Sequence, residues 1–334
     1  MGQNPRGGLG SLSLMKEADQ ALIRLLSDGE CRSGSELGKL LGISRAAVWK
    51  RIQRLEQFGL ALESIKGKGY RLSQPLHLLE LDRITESLAD RARLQYSWVT
   101  ESTNADALAL PGPVSVPHLF ISECQLAGRG RRGRQWQSPF AANIYLSLRY
   151  SAAGGFSTLG GLSLVVGAVV ARALVALDPS LPVTIKWPND IVINGSKVGG
   201  ILIELAGEMD GQVDVVIGIG MNGAMTAAQA ADIDQRWTGL ADEMQGNYDR
   251  TAIASVVLDA LLDALPLFSE RGFSAFSALY AQFDGVMGRQ VRVISGDSEL
   301  LGTACGVTDE GALKVDDGTQ VRELFGGEVS LRLQ

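Results

Sequence analysis

Between Lys16 and Leu72 the sequence repeats a helical signature three times, over stretches too short to be stable alone. Such crowding requires a small module whose helices bury one another. Leu22, Leu25 and Leu26 mark the first apolar stripe. Ser33, with Glu36 three residues on, forms a capping box ahead of Leu37, Leu40 and Leu41. Past Gly42, Ser44 is placed as an N-cap, Ile43 and Val48 as its hydrophobic staple, and Val48, Ile52 and Leu55 as the third stripe. This is helix-turn-helix spacing. Arg45, Ala46, Trp49, Lys50 and Arg54 fall off the third buried stripe, where small and basic groups suit base edges and phosphates. Two strand-like runs then flank a Lys66-Gly67-Lys68-Gly69 tip, which reads as a wing. The candidate DNA contacts are those five residues, Ser33 and Ser44 at the helix starts, and Lys66 and Lys68 at the tip. Use of the same unit to bind protein stays open.

Charge divides the chain in the same place. Residues 15–72 carry 11 Lys and Arg against 7 Asp and Glu, whereas the chain as a whole stands at −6 and the part from residue 73 onward at −11. A basic module on an acidic body points to a nucleic-acid-binding appendage. The length of 334 residues suggests two or three domains. Cys31, Cys124 and Cys305 lie far apart and form no CxxC pair, which disfavours a disulfide scaffold or zinc ribbon and fits a reducing, cytoplasmic setting. The longest apolar stretch, 159–177, contains Arg172 and several glycines, so no membrane span or signal peptide is expected. His77 and His118 have no nucleophile motif nearby, which argues against a histidine-led hydrolase.

After Pro75 the pattern alternates. Strands are expected over 119–122, 143–148, 191–193, 200–205 and 213–219, with a buried helix over 159–177. Short gaps between the later strands favour meander pairing, and hence an α+β domain with a mixed sheet rather than a doubly wound one. Gly128-Arg129-Gly130-Arg131-Arg132-Gly133 formally matches a dinucleotide fingerprint. That fingerprint needs a helix directly after it and an acidic residue roughly 20 positions on, but Pro139 and a strand follow here, and no Asp or Glu occurs before Asp178. What the loop offers is glycine backbone and arginine forks for an anionic ligand. A basic nucleic-acid patch or a solvated loop would read the same way.

A second cluster, Lys186-Trp187-Pro188-Asn189-Asp190, is followed by Lys197-Val198-Gly199-Gly200 and Gly218-Ile219-Gly220-Met221-Asn222. Together with Glu101-Ser102-Thr103-Asn104, the arginine loop and the winged helix, these strings resemble the bifunctional biotin protein ligases that also act as biotin operon repressors. The resemblance runs from about residue 16 to the C-terminus. It implies that Ser102, Thr103, Asn104 and Gln125 line a biotin pocket. Gly128, Arg129, Gly130 and Arg131 would close over the biotin carboxylate and phosphate, near Lys197 and Gly200. Trp136 would stack on adenine, Asn189 and Asn222 would hydrogen-bond it, Arg134 and Lys186 would meet phosphates, and Asp190 would help hold Mg²⁺. Lys197, Arg129 and Arg131 are the candidate catalytic cations. Trp136 and Trp187 could equally be core aromatics, and Lys186 a solvated charge.

The implied partners are biotin, ATP, the biotin carboxyl carrier protein domain of acetyl-CoA carboxylase, operator DNA of biotin synthesis genes, and a second copy of the chain when adenylate is bound. A purely regulatory biotin sensor is the alternative. Five short strand runs after Gly288, split by Asp-Glu-Gly and Asp-Asp-Gly turns, fit an SH3-like barrel. The expected organisation is a disordered leader over 1–14, a winged helix-turn-helix over 15–74, a ligase domain over 75–285 and the barrel over 286–334.

Overall fold

The computed structural model describes residues 15–207, 211–246, 248–295, 298–326 and 329–333, so the leader lies outside the described residues. The three apolar stripes form helices α1 (Glu17–Leu26), α2 (Gly34–Leu41) and α3 (Arg45–Glu56). Both expected caps are made. Ser33 Oγ accepts from Glu36 N at 3.1 Å and Ser44 Oγ from Ala47 N at 3.2 Å, each satisfying a helix-start donor. One stripe residue departs from expectation: Leu40 is 58% exposed, because α2 turns Gly34, Leu37 and Gly38 inward instead. A Cβ on Gly38 would stand 2.7 Å from Ile43 O, so glycine permits this close approach to the turn. Asp19 is fully buried and paired across the bundle with Arg51 at 2.5 Å and Arg54 at 3.4 Å. Strands β1 (Leu62–Ile65) and β2 (Gly69–Leu72) pair antiparallel around the Lys66–Lys68 tip, which is the expected wing.

Contacts between residues divide the chain into one unit up to Leu76, with Trp98–Thr100, and a second comprising His77–Ser97 and Glu101 onward. The second unit runs, in chain order, α4 (Leu81–Leu88), β3 (Arg93–Ser97), α5 (Thr103–Ala109), β4 (His118–Ser122), β5 (Ile144–Ala152), α6 (Leu162–Leu177), β6 (Val183–Lys186), β7 (Asp190–Ile193), β8 (Ser196–Gly207) and β9 (Val213–Met221). Helices α7 (Leu240–Glu243), α8 (Arg250–Arg271) and α9 (Ser277–Phe283) follow, then β10 (Gln290–Ser295), β11 (Ser298–Val307), β12 (Leu313–Asp316), β13 (Val321–Leu324) and β14 (Val329–Leu333).

The central sheet has seven strands in the order β3-β4-β5-β9-β8-β7-β6. Only β3 and β4 run parallel, so it is the expected mixed sheet. The stretch Phe156–Leu177, which includes α6, and helix α8 are long and apolar enough to cross a membrane on composition, but their side chains form the core: Val165, Val166, Val169 and Leu174 of one helix and Val257, Leu258 and Leu261 of the other are buried. The C-terminal strands make a five-stranded antiparallel sheet in the order β13-β12-β11-β10-β14, and among the described residues no ladder joins β13 to β14 to close it. Its buried residues Val291, Val293, Leu313, Val315 and Leu331 belong to the same hydrophobic cluster as the central sheet.

One buried ion pair holds the start of the second unit. Glu123, just past β4, and Arg250, at the start of α8, lie 2.7 Å apart with both side chains almost wholly buried. Glu123 Oε1 also accepts from Leu79 N at 2.8 Å, and Arg250 also donates to His77 O at 2.6 Å. Replacing Arg250 by Met strands a buried carboxylate, and chemical denaturation should register a loss of about 3–5 kcal/mol in unfolding free energy.

Candidate active site

The Lys186-Trp187-Pro188-Asn189-Asp190 string is a hairpin. Lys186 closes β6 and pairs with Asp190, which opens β7, while Trp187, Pro188 and Asn189 form the connection, with a cis peptide before the proline. Trp187 is buried and donates its Nε1 to Gly311 O at 3.1 Å, so the core-aromatic reading holds for it. Lys186, Asn189 and Asp190 face a cavity over the central sheet.

One end of that cavity is neutral. Ser102 caps α5, with Thr103 and Asn104 in its first turn. Thr103 N donates to Gln125 Oε1 at 2.9 Å, and Gln125 Nε2 donates to Ser138 Oγ at 3.0 Å. Ser147 of β5 donates to Asn104 Oδ1 at 2.5 Å and lies 2.7 Å from Thr103 Oγ1. Asn104 Nδ2 donates to Glu204 Oε2 at 2.7 Å. These hydroxyls and amides are fixed by one another, a preorganised set of donors and acceptors for a polar, uncharged ring. Ser147 and Glu204 were not singled out from the sequence.

The other end is cationic. The arginine loop folds back on itself: Gly130 N donates to Arg134 O at 2.7 Å and Trp136 N to Gly128 O at 2.8 Å. Gly128 does not face the cavity; a Cβ there would meet Ser138 Oγ and Trp136 O at 2.6 Å. Arg129 pairs with Glu204 at 3.0 Å. Arg131 donates to Asn189 Oδ1 at 3.0 Å and also to Gly326 O, bridging the loop to the hairpin and to the C-terminal sheet. Burial pushes its guanidinium below the ordinary value, while the neighbouring Asp190 opposes the shift. Lys197 Nζ sits 2.6 Å from Asp190 Oδ1 and 5.4 Å from the Trp136 ring centre. Arg134 is exposed at the cavity rim.

Trp136 lies flat on the sheet. A Cβ on Gly220 would stand 2.5 Å from its Cε2, and one on Gly200 3.3 Å from its Cζ3. Asn222 belongs to an adjoining cavity with Trp136, Lys197, Ile233 and Trp237, and its Nδ2 donates to Lys197 O and Thr238 O at 3.3 and 3.2 Å. The wall formed by Ile233 and Trp237 gave no motif in the sequence. Asp190 is the one carboxylate among the described residues lining the main cavity, and no cluster of three or more potential metal ligands occurs among the described residues.

On the winged helix, Ser33 and Ser44 are spent on capping, Arg45, Ala46, Trp49, Lys50, Lys66 and Lys68 are exposed, and Arg54 is half-buried against Asp19.

The fold and cavity define a protein ligase joined to a helix-turn-helix module. Residues 99–222 match the biotin/lipoate A/B protein ligase family, 18–71 an HTH domain, and 286–332 the biotin protein ligase C-terminal domain. Bifunctional ligase/repressor BirA of Salmonella typhimurium is 40% identical over 311 residues, covering 93% of this chain and 96% of that protein. Its Escherichia coli counterpart is 39% identical over the same shares. A biotin protein ligase from Aquifex aeolicus, solved in complex with biotin and ATP, superposes with a TM-score of 0.62 at 26% identity, covering 72% of this chain and 99% of that one. The chain belongs to the bifunctional ligase/repressor family. With the aromatic floor dependent on a bare strand, Gly220→Ala should displace the Trp136 indole and weaken ATP binding by about tenfold in calorimetric titration, leaving biotin binding near normal.

Proposed function

We propose that the protein activates biotin with ATP as biotinyl-5'-AMP and transfers it to a specific lysine of a biotin carboxyl carrier protein. In the adenylate-bound state it represses biotin synthesis genes. The observation that carries the ligase reading is a single cavity with a hydroxyl-and-amide end, a cationic end and an aromatic floor. Ser102, Thr103, Asn104 and Gln125 hold the ureido ring. Attack of the biotin carboxylate on the α-phosphate brings two anions together, and Arg129, Arg131 and Lys197 offset their repulsion and the charge that develops. Trp136 offers its face to adenine, with Asn189 and Asn222 along its edge and Lys186 and Arg134 toward the phosphates.

Asp190 fits a role in holding Mg²⁺, since that ion takes one or two protein carboxylates and completes its shell with substrate phosphates and water. When bound it neutralises phosphate charge. The adenylate is a mixed anhydride that water would hydrolyse, and the loop held down by Arg131 excludes water from it. Because the acyl group is already activated, the acceptor amine attacks the acyl carbon directly, the acyl C–O bond of the anhydride breaks to release AMP, and no covalent enzyme intermediate is needed. A sensor without ligase activity would be expected to have lost Lys197 or part of the arginine loop, and both are in place.

The modules divide the work: 15–74 for DNA, 75–285 for ligation, and 286–334 in support of the nucleotide and acceptor. An adenylate-dependent homodimer would set two winged helices on a palindromic operator. A reducing cytoplasmic home suits three free cysteines, of which Cys124 has its thiol pushed up to about 12 by burial and is correspondingly inert.

Mass spectrometry should show a biotin adduct on an acceptor domain only when biotin, ATP and Mg²⁺ are all supplied; biotin binding without any adduct would refute the ligase reading. Arg131→Ala should release adenylate and label lysines on bystander proteins, which a streptavidin blot measures. Replacing Arg45 and Lys50 together by Ala should weaken operator retardation in a gel and flatten its salt dependence by about two in the log–log slope, with ligation intact.

A further inference from the structure

Glu204 is out of keeping with its surroundings. It lies on β8 with its side chain 25% exposed, beside a cavity whose lining charges are cations apart from Asp190. A carboxylate there repels the carboxylate of an incoming acid. Its contacts explain what it does instead. A single oxygen, Oε2, accepts from Asn104 Nδ2 at 2.7 Å and pairs with Arg129 Nη2 at 3.0 Å.

The first contact orients a side chain. Asn104 Oδ1 accepts from Ser147 Oγ, and Nδ2 is held by Glu204 and by Leu202 O at 3.4 Å. Gly218 behind it makes the space the amide occupies, since a Cβ there would stand 2.2 Å from Asn104 Oδ1. With a hydrogen-bond acceptor at one edge and a donor at the other, the amide cannot turn over. The second contact holds a cation. Arg129 is exposed at the cavity rim, and Glu204 supplies the anion that a ligand would otherwise supply.

We propose that Glu204 is a positioning residue with two separable actions: it locks the Asn104 amide, and it parks Arg129 until the carboxylate of the acid substrate takes that guanidinium over. The inference rests on the reading of this cavity as a biotin site and adds an ion-pair exchange to it. Binding of the acid then replaces one Arg–carboxylate pair by another, whereas a neutral ligand leaves the Arg129–Glu204 pair untouched.

The two actions separate in two variants and two ligands. Glu204→Gln keeps a neutral oxygen where Oε2 stands, so Asn104 stays in place while the charge that competes for Arg129 is gone. Glu204→Ala removes both. Calorimetric titration of the full-length protein uses biotin and its neutral primary-alcohol analogue. Glu204→Gln should bind biotin about threefold more tightly than wild type, the scale of a partly exposed ion pair, and bind the alcohol equally well. Glu204→Ala should bind the alcohol about tenfold more weakly, through loss of the Asn104 acceptor, and biotin only about threefold more weakly, because the charge competing for Arg129 is gone as well. Equal weakening of both ligands in Glu204→Gln, or biotin affinity no tighter than wild type, overturns the exchange; unchanged binding of both in Glu204→Ala overturns the locking. If wild type itself binds neither ligand, the biotin reading fails and takes this inference with it, an outcome distinct from failure in the variants alone.

Discussion

The site depends on a patch of strand with no side chains. Gly200 of β8 and Gly220 of β9 are direct cross-strand partners, and Gly218 lies opposite Ser147. On any other residue a Cβ would project from the sheet face at these points. Here the face is bare, so Trp136 lies on one part of it and Asn104 on the next. In a sheet packed on its opposite face by α6 and α8, this is where a flat ligand can approach the backbone without carving a cavity out of the core. The hydroxyls, the amides and the cations are arranged around that clearing.

Charge follows a second rule: Arg129 and Arg131 of the arginine loop and Lys197 of β8 are held by groups of this chain. Arg129 has Glu204, Lys197 has Asp190, and Arg131 has Asn189 and a C-terminal carbonyl. Positive groups crowded into one cavity repel one another and would swing toward solvent if left alone. Internal partners keep them aimed inward at the cost of having to be displaced or shared when a substrate enters. These three cations are therefore preoriented, the condition under which charged groups stabilise developing charge most effectively.

Legibility in the sequence tracked how local each determinant is. The winged helix was readable because its caps, turn glycine and stripes act over three or four residues, and Ser33 and Ser44 make the bonds their spacing implies. The resemblance located the cavity's motif residues, and most of those residues do line it. The strand over 191–193 was expected, but β6, only four residues long, was not, so the hairpin at Lys186 to Asp190 went unread. Strand β3 and helix α8 also went unread: β3 alternates half-buried and exposed positions without a turn signal, and α8 is buried around much of its circumference and carries Pro266. Ser147 and Glu204 could not be found by any local rule. They sit inside strands and meet Asn104 across 43 and 100 residues of chain. Long-range polar contacts of this kind leave no periodicity behind.

The C-terminal sheet closes the cavity from the far end of the chain. Leu331 contributes to its wall, Gly326 receives Arg131, and Gly311 receives the Trp187 indole. The winged helix, by contrast, draws its buried helix residues from before Glu56. During synthesis on the ribosome the helix-turn-helix part can therefore take shape early, while the pocket stays open on one side until residues 311–331 have emerged. A chain cut short before Gly311 would lack both carbonyls, leaving the arginine loop without its clasp and the Trp187 indole without its acceptor.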